Sequence, residues 1–220
     1  MKLTNPIAGM KWNIYPWGNI TQWFGENIEL YKSLGIGLNE GHNGIDIVAP
    51  WGTPILAVSD QLITDCKLSP TGYGKHIRAI SLKEGHEYTY GHLSSIEVTP
   101  GQEVKAGTMI GKMGNTGFVV SGATPYWEHN PYAGTHLHFG IRKLGVFTGT
   151  EAFVTYLGKK YAIYNYDNGC LGGVDPIQFF ETTTEGDTEA ELKSLQLTVI
   201  SLANQAIGLL QRLLLLKTKK

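Results

Sequence analysis

Two short groups of residues have the types and spacing to hold a metal ion. His42 and Asp46 stand in H-N-G-I-D, and His136 and His138 stand in H-L-H-F. A further histidine, His92, lies between them in Y-G-H-L. Imidazole and carboxylate are zinc ligands. Three of them leave one coordination position open, and an open position is what hydrolytic chemistry requires.

Such residues act only if the backbone brings them together. His136 and His138 are two apart, with Leu137 and Phe139 in alternation. On a strand, i and i+2 share a face, so both imidazoles would point one way and Leu137 and Phe139 into a core. His42 and Asp46 are four apart, and Gly44, Ile45, Ile47 and Val48 oppose a helix there. A straight strand would separate them by about 13 Å, too far for ligand bonds of roughly 2 Å. The chain must bend, and Asn43-Gly44 is the natural place. His42 is therefore expected on a loop and Asp46 at the start of a strand. Taken alone, each group is weak, because a histidine pair on a strand more often packs or faces solvent. The order of all three in one glycine-rich β-protein is the stronger signal.

The surrounding sequence supports such a body. From about 43 to 145, short β-branched runs such as HIRAISL and EYTYGHL are broken by Gly and Pro every 8–12 residues or so. This predicts a mainly β fold, an open antiparallel barrel or sandwich. The 28 glycines suit many tight turns. A net charge of −1 provides no basic field for nucleic acid. Cys66 and Cys170 leave two states open, one disulfide or two buried thiols. Trp12, Tyr15, Trp17 and Trp23 suggest an irregular aromatic segment packed on the body. Residues 118–135 and 146–174 interrupt the strand rhythm and could wall a binding groove or simply pack on the surface.

The ordered motifs I-T-Q-W-F-G (20–25), G-H-N-G-I-D-I-V-A-P-W-G-T-P-I (41–55), G-Y-G-K-H-I (72–77), Y-G-H-L (90–93), G-Q-E-V-K-A-G-T-M-I-G (101–111), G-N-T-G (114–117) and H-L-H-F (136–139) carry a family resemblance. The chain resembles the LytM/lysostaphin-type zinc metallopeptidases, which cut peptide bonds in bacterial peptidoglycan. The resemblance runs from about Ile20 to Phe180. It implies a duplicated hybrid motif fold with the site in a groove, Zn2+ held by His42, Asp46 and His138, and catalytic roles for His92 and His136. It leaves open which histidine is the base. It also implies a peptidoglycan peptide as substrate. The alternative is a non-catalytic wall-binding or hydrolase-activating module of the same fold. A carrier-like barrel, suggested by the 101–111 hairpin, lacks a lysine in the required tight turn and leaves the histidines unexplained. Gln61 stands where the family usually has Gly, and His76 and His86 have no partner motif. Asn115 of G-N-T-G is expected to shape a turn, with substrate binding as the lesser alternative, and Glu128 and His129 within 118–135 read as solvated loop residues before substrate contacts.

The resulting organisation is a metallopeptidase-like domain over 1–182 with its core at about 20–180, a polar linker over 183–191, and a helix over 192–216. In that last segment Leu192, Leu195, Val199, Leu202, Ala206, Leu209, Leu213 and Leu216 alternate in steps of three and four, the seam of a coiled coil. Such a helix, about 37 Å long, would make homo-oligomers, dock on a partner or lie on a membrane surface. Polar interruptions argue against a transmembrane span. The first residues carry no apolar run of signal-peptide length. The expected setting is a cell-wall-acting, extracellular enzyme that is phage-borne or released by lysis.

Overall fold

The computed structural model describes residues 2–8, 19–121, 124–125, 130 and 132–180. The expected linker at 183–191, the helix at 192–216 and its oligomeric role, and Trp12, Tyr15 and Trp17 lie outside these residues.

The described chain is mainly β, as its alternation predicts. Its strands are β1 (Ile20–Gln22), β2 (Ile45–Ile47), β3 (Pro54–Leu56), β4 (Gln61–Ser69), β5 (Gly74–Ser81), β6 (His86–Ile96), β7 (Glu103–Val104), β8 (Met109–Met113), β9 (Val120–Ser121), β10 (Thr124–Pro125), β11 (Leu137–Val146), β12 (Phe153–Tyr156), β13 (Lys159–Ile163) and β14 (Gly173–Val174). One short helix, α1 (Ile28–Leu34), lies between β1 and β2, and Gly35 ends it in a left-handed conformation. The main sheet runs β1-β2-β11-β6-β5-β4-β7 with antiparallel neighbours. It is open, with β1 and β7 as the ends of this path.

The sheet has two unlike faces, and the period of two decides which residue goes where. Ile77, Ala79, Tyr88, Tyr90, Leu137, Phe139 and Ile141 all turn inward and are fully buried. Phe139 is the hub, with ring centroids 5.3 Å from Tyr90 and 5.8 Å from Phe180. The buried Tyr90 hydroxyl donates to Gln61 Oε1 at 3.0 Å and accepts from the Val58 amide, so its burial leaves no polar group stranded. Gln61, where the family usually turns on Gly, is thus a buried first residue of β4.

The opposite face carries His138, Gly140 and Arg142 on β11 and Glu87 and Thr89 on β6, paired rung by rung as His138 with Gly91, Gly140 with Thr89, and Arg142 with Glu87. One end of this polar face is covered by the β12–β13 hairpin, which pairs to β11 at Leu144–Val146. Ile80, Leu144 and Ile163 form a small second core beneath it. The interruption read at 146–174 is therefore partly regular structure. Cys66 and Cys170 are both free thiols.

Candidate metal centre

β11 is the central element of the site. Asp46 on β2 is the direct cross-strand partner of His138 on β11, so two of the expected ligands face each other on neighbouring strands. His42 reaches them from the loop before β2. Its backbone is pinned on both sides: its N–H donates to Glu26 O at 2.9 Å, and its carbonyl accepts from Gly25 N at 2.8 Å. The bend at Asn43-Gly44 folds His42 back onto Asp46. Gly44 is required there by close approach, because a Cβ would sit 2.5 Å from Phe139 O and 2.8 Å from His138 Cε1.

Three ligand atoms converge. His42 Nε2 lies 2.9 Å from His138 Nδ1 and 3.2 Å from Asp46 Oδ1, and His138 Nδ1 lies 3.2 Å from Asp46 Oδ1. Tetrahedral zinc with bonds of about 2.0–2.1 Å needs ligand atoms about 3.3–3.4 Å apart. The observed triangle meets that need with small shifts. His42 Nδ1 faces the Trp23 carbonyl at 3.3 Å. A carbonyl only accepts, so Nδ1 carries the hydrogen and Nε2 presents its lone pair to the cluster. Tyr31 stacks on the His42 ring at 5.7 Å and fixes its plane. All three side chains are buried, and among the described residues they are the group able to hold a metal ion. His138 Nε2, turned away from the cluster, is buried without a partner, which leaves Nδ1 as the productive atom.

The electrostatics follow from burial and crowding. Burial pushes His138 down to about 4, against the opposing pull of the Asp46 carboxylate. Burial alone would raise Asp46. The pull of His136, with the close contacts of His138 and His42, overcomes it and holds the carboxyl well below the usual range. His138 is thus favoured as neutral imidazole and Asp46 as ionised carboxylate, the forms that bind metal.

His92 and His136 stand beside this triangle, with ring centroids 4.6 Å apart. His136 Nδ1 contacts Gly134 O at 2.7 Å, and His92 Nδ1 contacts Thr116 O at 2.8 Å. Both Nδ1 atoms must donate, so both Nε2 atoms are free of the backbone. His136 Nε2 lies 3.6 Å from Asp46 Oδ2. Burial, then the neighbouring His136 and His138, press His92 well below the usual histidine range.

His92 arrives by an irregularity that alternation does not predict. Counting by twos from Tyr88 and Tyr90 would send it into the core. Instead β6 carries an extra residue against β5, where Lys75 pairs with Leu93 and Ile77 with Tyr90. His92 takes a φ of 62° within this bulge, and its N–H donates to Tyr73 O at 2.7 Å. The bulge turns the imidazole to the polar face and returns Leu93 to the core, where it is fully buried.

All five residues therefore meet at one groove of 640 Å³. One wall is apolar, formed by Leu30, Leu34, Ile36 and Leu38, and Phe118 and Val119 also line the groove. Asn115, expected to shape a turn, does more: its Nδ2 donates to Asn130 O and Ala133 O and ties down the segment that leads into β11. His76 and His86 stay away from the cluster, His76 buried and His86 packed edge-on against Phe179. Glu128 and His129 lie outside the described residues.

The model of peptidase family M23 matches residues 40–150, a stretch that includes all five of these residues. The chain belongs to peptidase family M23. The glycyl-glycine endopeptidase ALE-1 of Staphylococcus capitis is 37% identical over 89 residues, which are 40% of this chain and 25% of that protein. Lysostaphin of Staphylococcus simulans is 38% identical over 123 residues, 56% of this chain and 22% of that protein. The chain thus spans about a quarter of the length of these curated relatives. The solved catalytic domain of lysostaphin from Staphylococcus simulans aligns at a TM-score of 0.44 and 27% identity, over 64% of this chain and 80% of that one. No described helix is long and apolar enough to cross a membrane.

Proposed function

We propose that this M23 member is a zinc-dependent endopeptidase that hydrolyses peptide cross-links or bridges of bacterial peptidoglycan, acting on the wall from outside the cell. The observation that carries the proposal is the triangle of His42 Nε2, Asp46 Oδ1 and His138 Nδ1, sized for tetrahedral zinc and flanked by two histidines held to the backbone through Nδ1. The relatives ALE-1 and lysostaphin support the substrate class.

His42, Asp46 and His138 would hold the ion. When bound, zinc supplies a Lewis acid that polarises a carbonyl and acidifies water. The rest of the chemistry belongs to the side chains. His136, on the strand face of His138, accepts a proton from water through Nε2. The hydroxyl part adds to the scissile carbonyl carbon. The C–N bond then breaks, and the proton passes from the histidine pair to the leaving amine. His92, held by Thr116 O and paired with His136, keeps the second Nε2 at the reacting centre.

The test is mass spectrometry of muropeptides released from glycine-bridged and directly cross-linked walls, with and without chelator. Chelator-sensitive peptide-bond cleavage is expected, and the products name the bond. Bound zinc with no release from either wall would favour the wall-binding alternative instead.

A further inference from the structure

The polar face of the sheet continues past the metal centre into a second cavity of 610 Å³. Its lining shares His138, Asn43, Tyr73 and Leu171 with the first groove, so the two cavities adjoin at these residues. Gly140 lies in its lining without a side chain to fill it. Thr150–Val154 and Ile163, from the hairpin region, line it too. Most of the hairpin lies beyond residue 150, where the family match stops.

Among the described residues, one cationic group lining this cavity is in no ion pair. Arg78 lines it, and its Nε is buried without a hydrogen bond. The nearby carboxylates are engaged elsewhere. Asp65, the cross-strand partner of Arg78, pairs with Lys67 at 2.6 Å. Glu87 is taken by Arg142 through both Nε and Nη2. Glu151 turns into its own loop, accepting from the amides of Thr148, Gly149 and Thr150 and from the Thr148 hydroxyl. A guanidinium with a buried, unused donor asks for an anion, and the planar anion that fits its fork is a carboxylate.

We infer that Arg78 forms a carboxylate-binding subsite at the walled end of the groove, holding a substrate peptide by a carboxylate a few residues from the scissile bond. Arg78 pairs with Thr89, and Thr89 with Gly140, one rung along from His138. Two strand spacings and one such step put the Arg78 and His138 Cα atoms roughly 12 Å apart, within reach of a short extended peptide and the arginine stem. The carboxylate is the free C-terminus of the peptide or an acidic side chain. The subsite rests on the peptidase proposal for the identity of its ligand as a substrate, and not for its affinity.

The test is an NMR titration of the full, chelator-treated chain with three peptides: acetyl-triglycine, its C-terminal amide, and acetyl-Gly-Glu-Gly amide. At least one carboxylate peptide is expected to bind ten- to a hundredfold more tightly than the all-amide peptide, as a charge-assisted hydrogen bond would give. Preference for acetyl-triglycine identifies a chain terminus, and preference for the glutamyl peptide identifies a side chain. Arg78→Met should abolish the difference while leaving amide binding unchanged, and Arg78→Lys should keep part of it. Equal binding of all three peptides by the native chain overturns the inference whether or not the variant folds, and so does discrimination that survives Arg78→Met. Carboxylate preference without muropeptide release would leave the subsite standing and the peptidase proposal fallen. Release without carboxylate preference would do the reverse.

Discussion

Adding one methyl group at Gly44 should dismantle the metal centre without touching a ligand. An alanine Cβ would lie 2.5 Å from Phe139 O and 2.8 to 2.9 Å from the His138 imidazole atoms Cε1 and Nε2. Ordinary contact with these atoms needs about 3.4 Å or more, so the ring must retreat by roughly 0.5 Å. The carbonyl cannot yield as easily, because Phe139 is the hub of the core and its strand is paired on both sides. Metal sites tolerate ligand displacements of about 0.2 Å. The retreat exceeds that, and zinc affinity should fall by at least ten- to a hundredfold, as when a supporting group is lost. Overpacking should also cost about 1–3 kcal/mol, a drop in Tm of roughly 2–12 °C for a chain of this size. Zinc competition against a chromophoric chelator measures the first effect and thermal melting the second. Gly140→Ala is the control, since its methyl would meet nothing nearer than 3.4 Å. Native-like zinc affinity and melting in Gly44→Ala would refute the claim that this close approach sets the position of His138.

His136→Ala should lower kcat by about 10²–10⁴, the usual share of a positioned proton acceptor, while zinc content by atomic absorption stays native. Loss of the metal in that variant would show that His136 holds the ion rather than the proton. Stability should fall with acidification through His76. Burial holds it below its ordinary value of 6.5 in the folded chain, so below pH 6.5 the unfolded chain binds protons that the folded one refuses. The loss has a slope of at most about 1.4 kcal/mol per pH unit for this group. Urea midpoints measured between pH 5 and 7 should show the slope, and His76→Gln should remove this group's share of it, leaving that of the other buried histidines.

Periodicity alone sorted much of this molecule. Leu137 and Phe139 went to the core and His138 to the opposite face because a strand alternates, and the Asn43-Gly44 bend was demanded by distance. The family resemblance named the five histidine and aspartate positions that the structure brings together. What sequence could not supply was long-range. Alternation would bury His92 with Tyr88 and Tyr90, and only the pairing of β6 with β5 reveals the bulge. The hairpin of β12 and β13 was read as an interruption because its strands are short and partly exposed. Nothing in the run HIRAISL sets Arg78 apart from a solvated strand arginine. Its lack of a partner depends on Asp65, Glu87 and Glu151 each finding another, which no local pattern encodes. Asn115 was readable as a turn former, but its hold on Asn130 and Ala133 crosses a segment without periodic signal.

The extra residue in β6 also means that part of the site is written in a count and not in an identity. One strand must run a residue longer than its neighbour for His92 to face His136. A descendant of this gene could keep every histidine and aspartate, lose a single codon between Tyr90 and Leu93, and still read as intact by composition. Its sheet would regain perfect alternation, and the imidazole, still on the polar face, would slide into the place of Gly91 opposite His138 and lose its station beside His136 and Thr116. For this fold, gaps in β6 are as informative about competence as substitutions at the ligands.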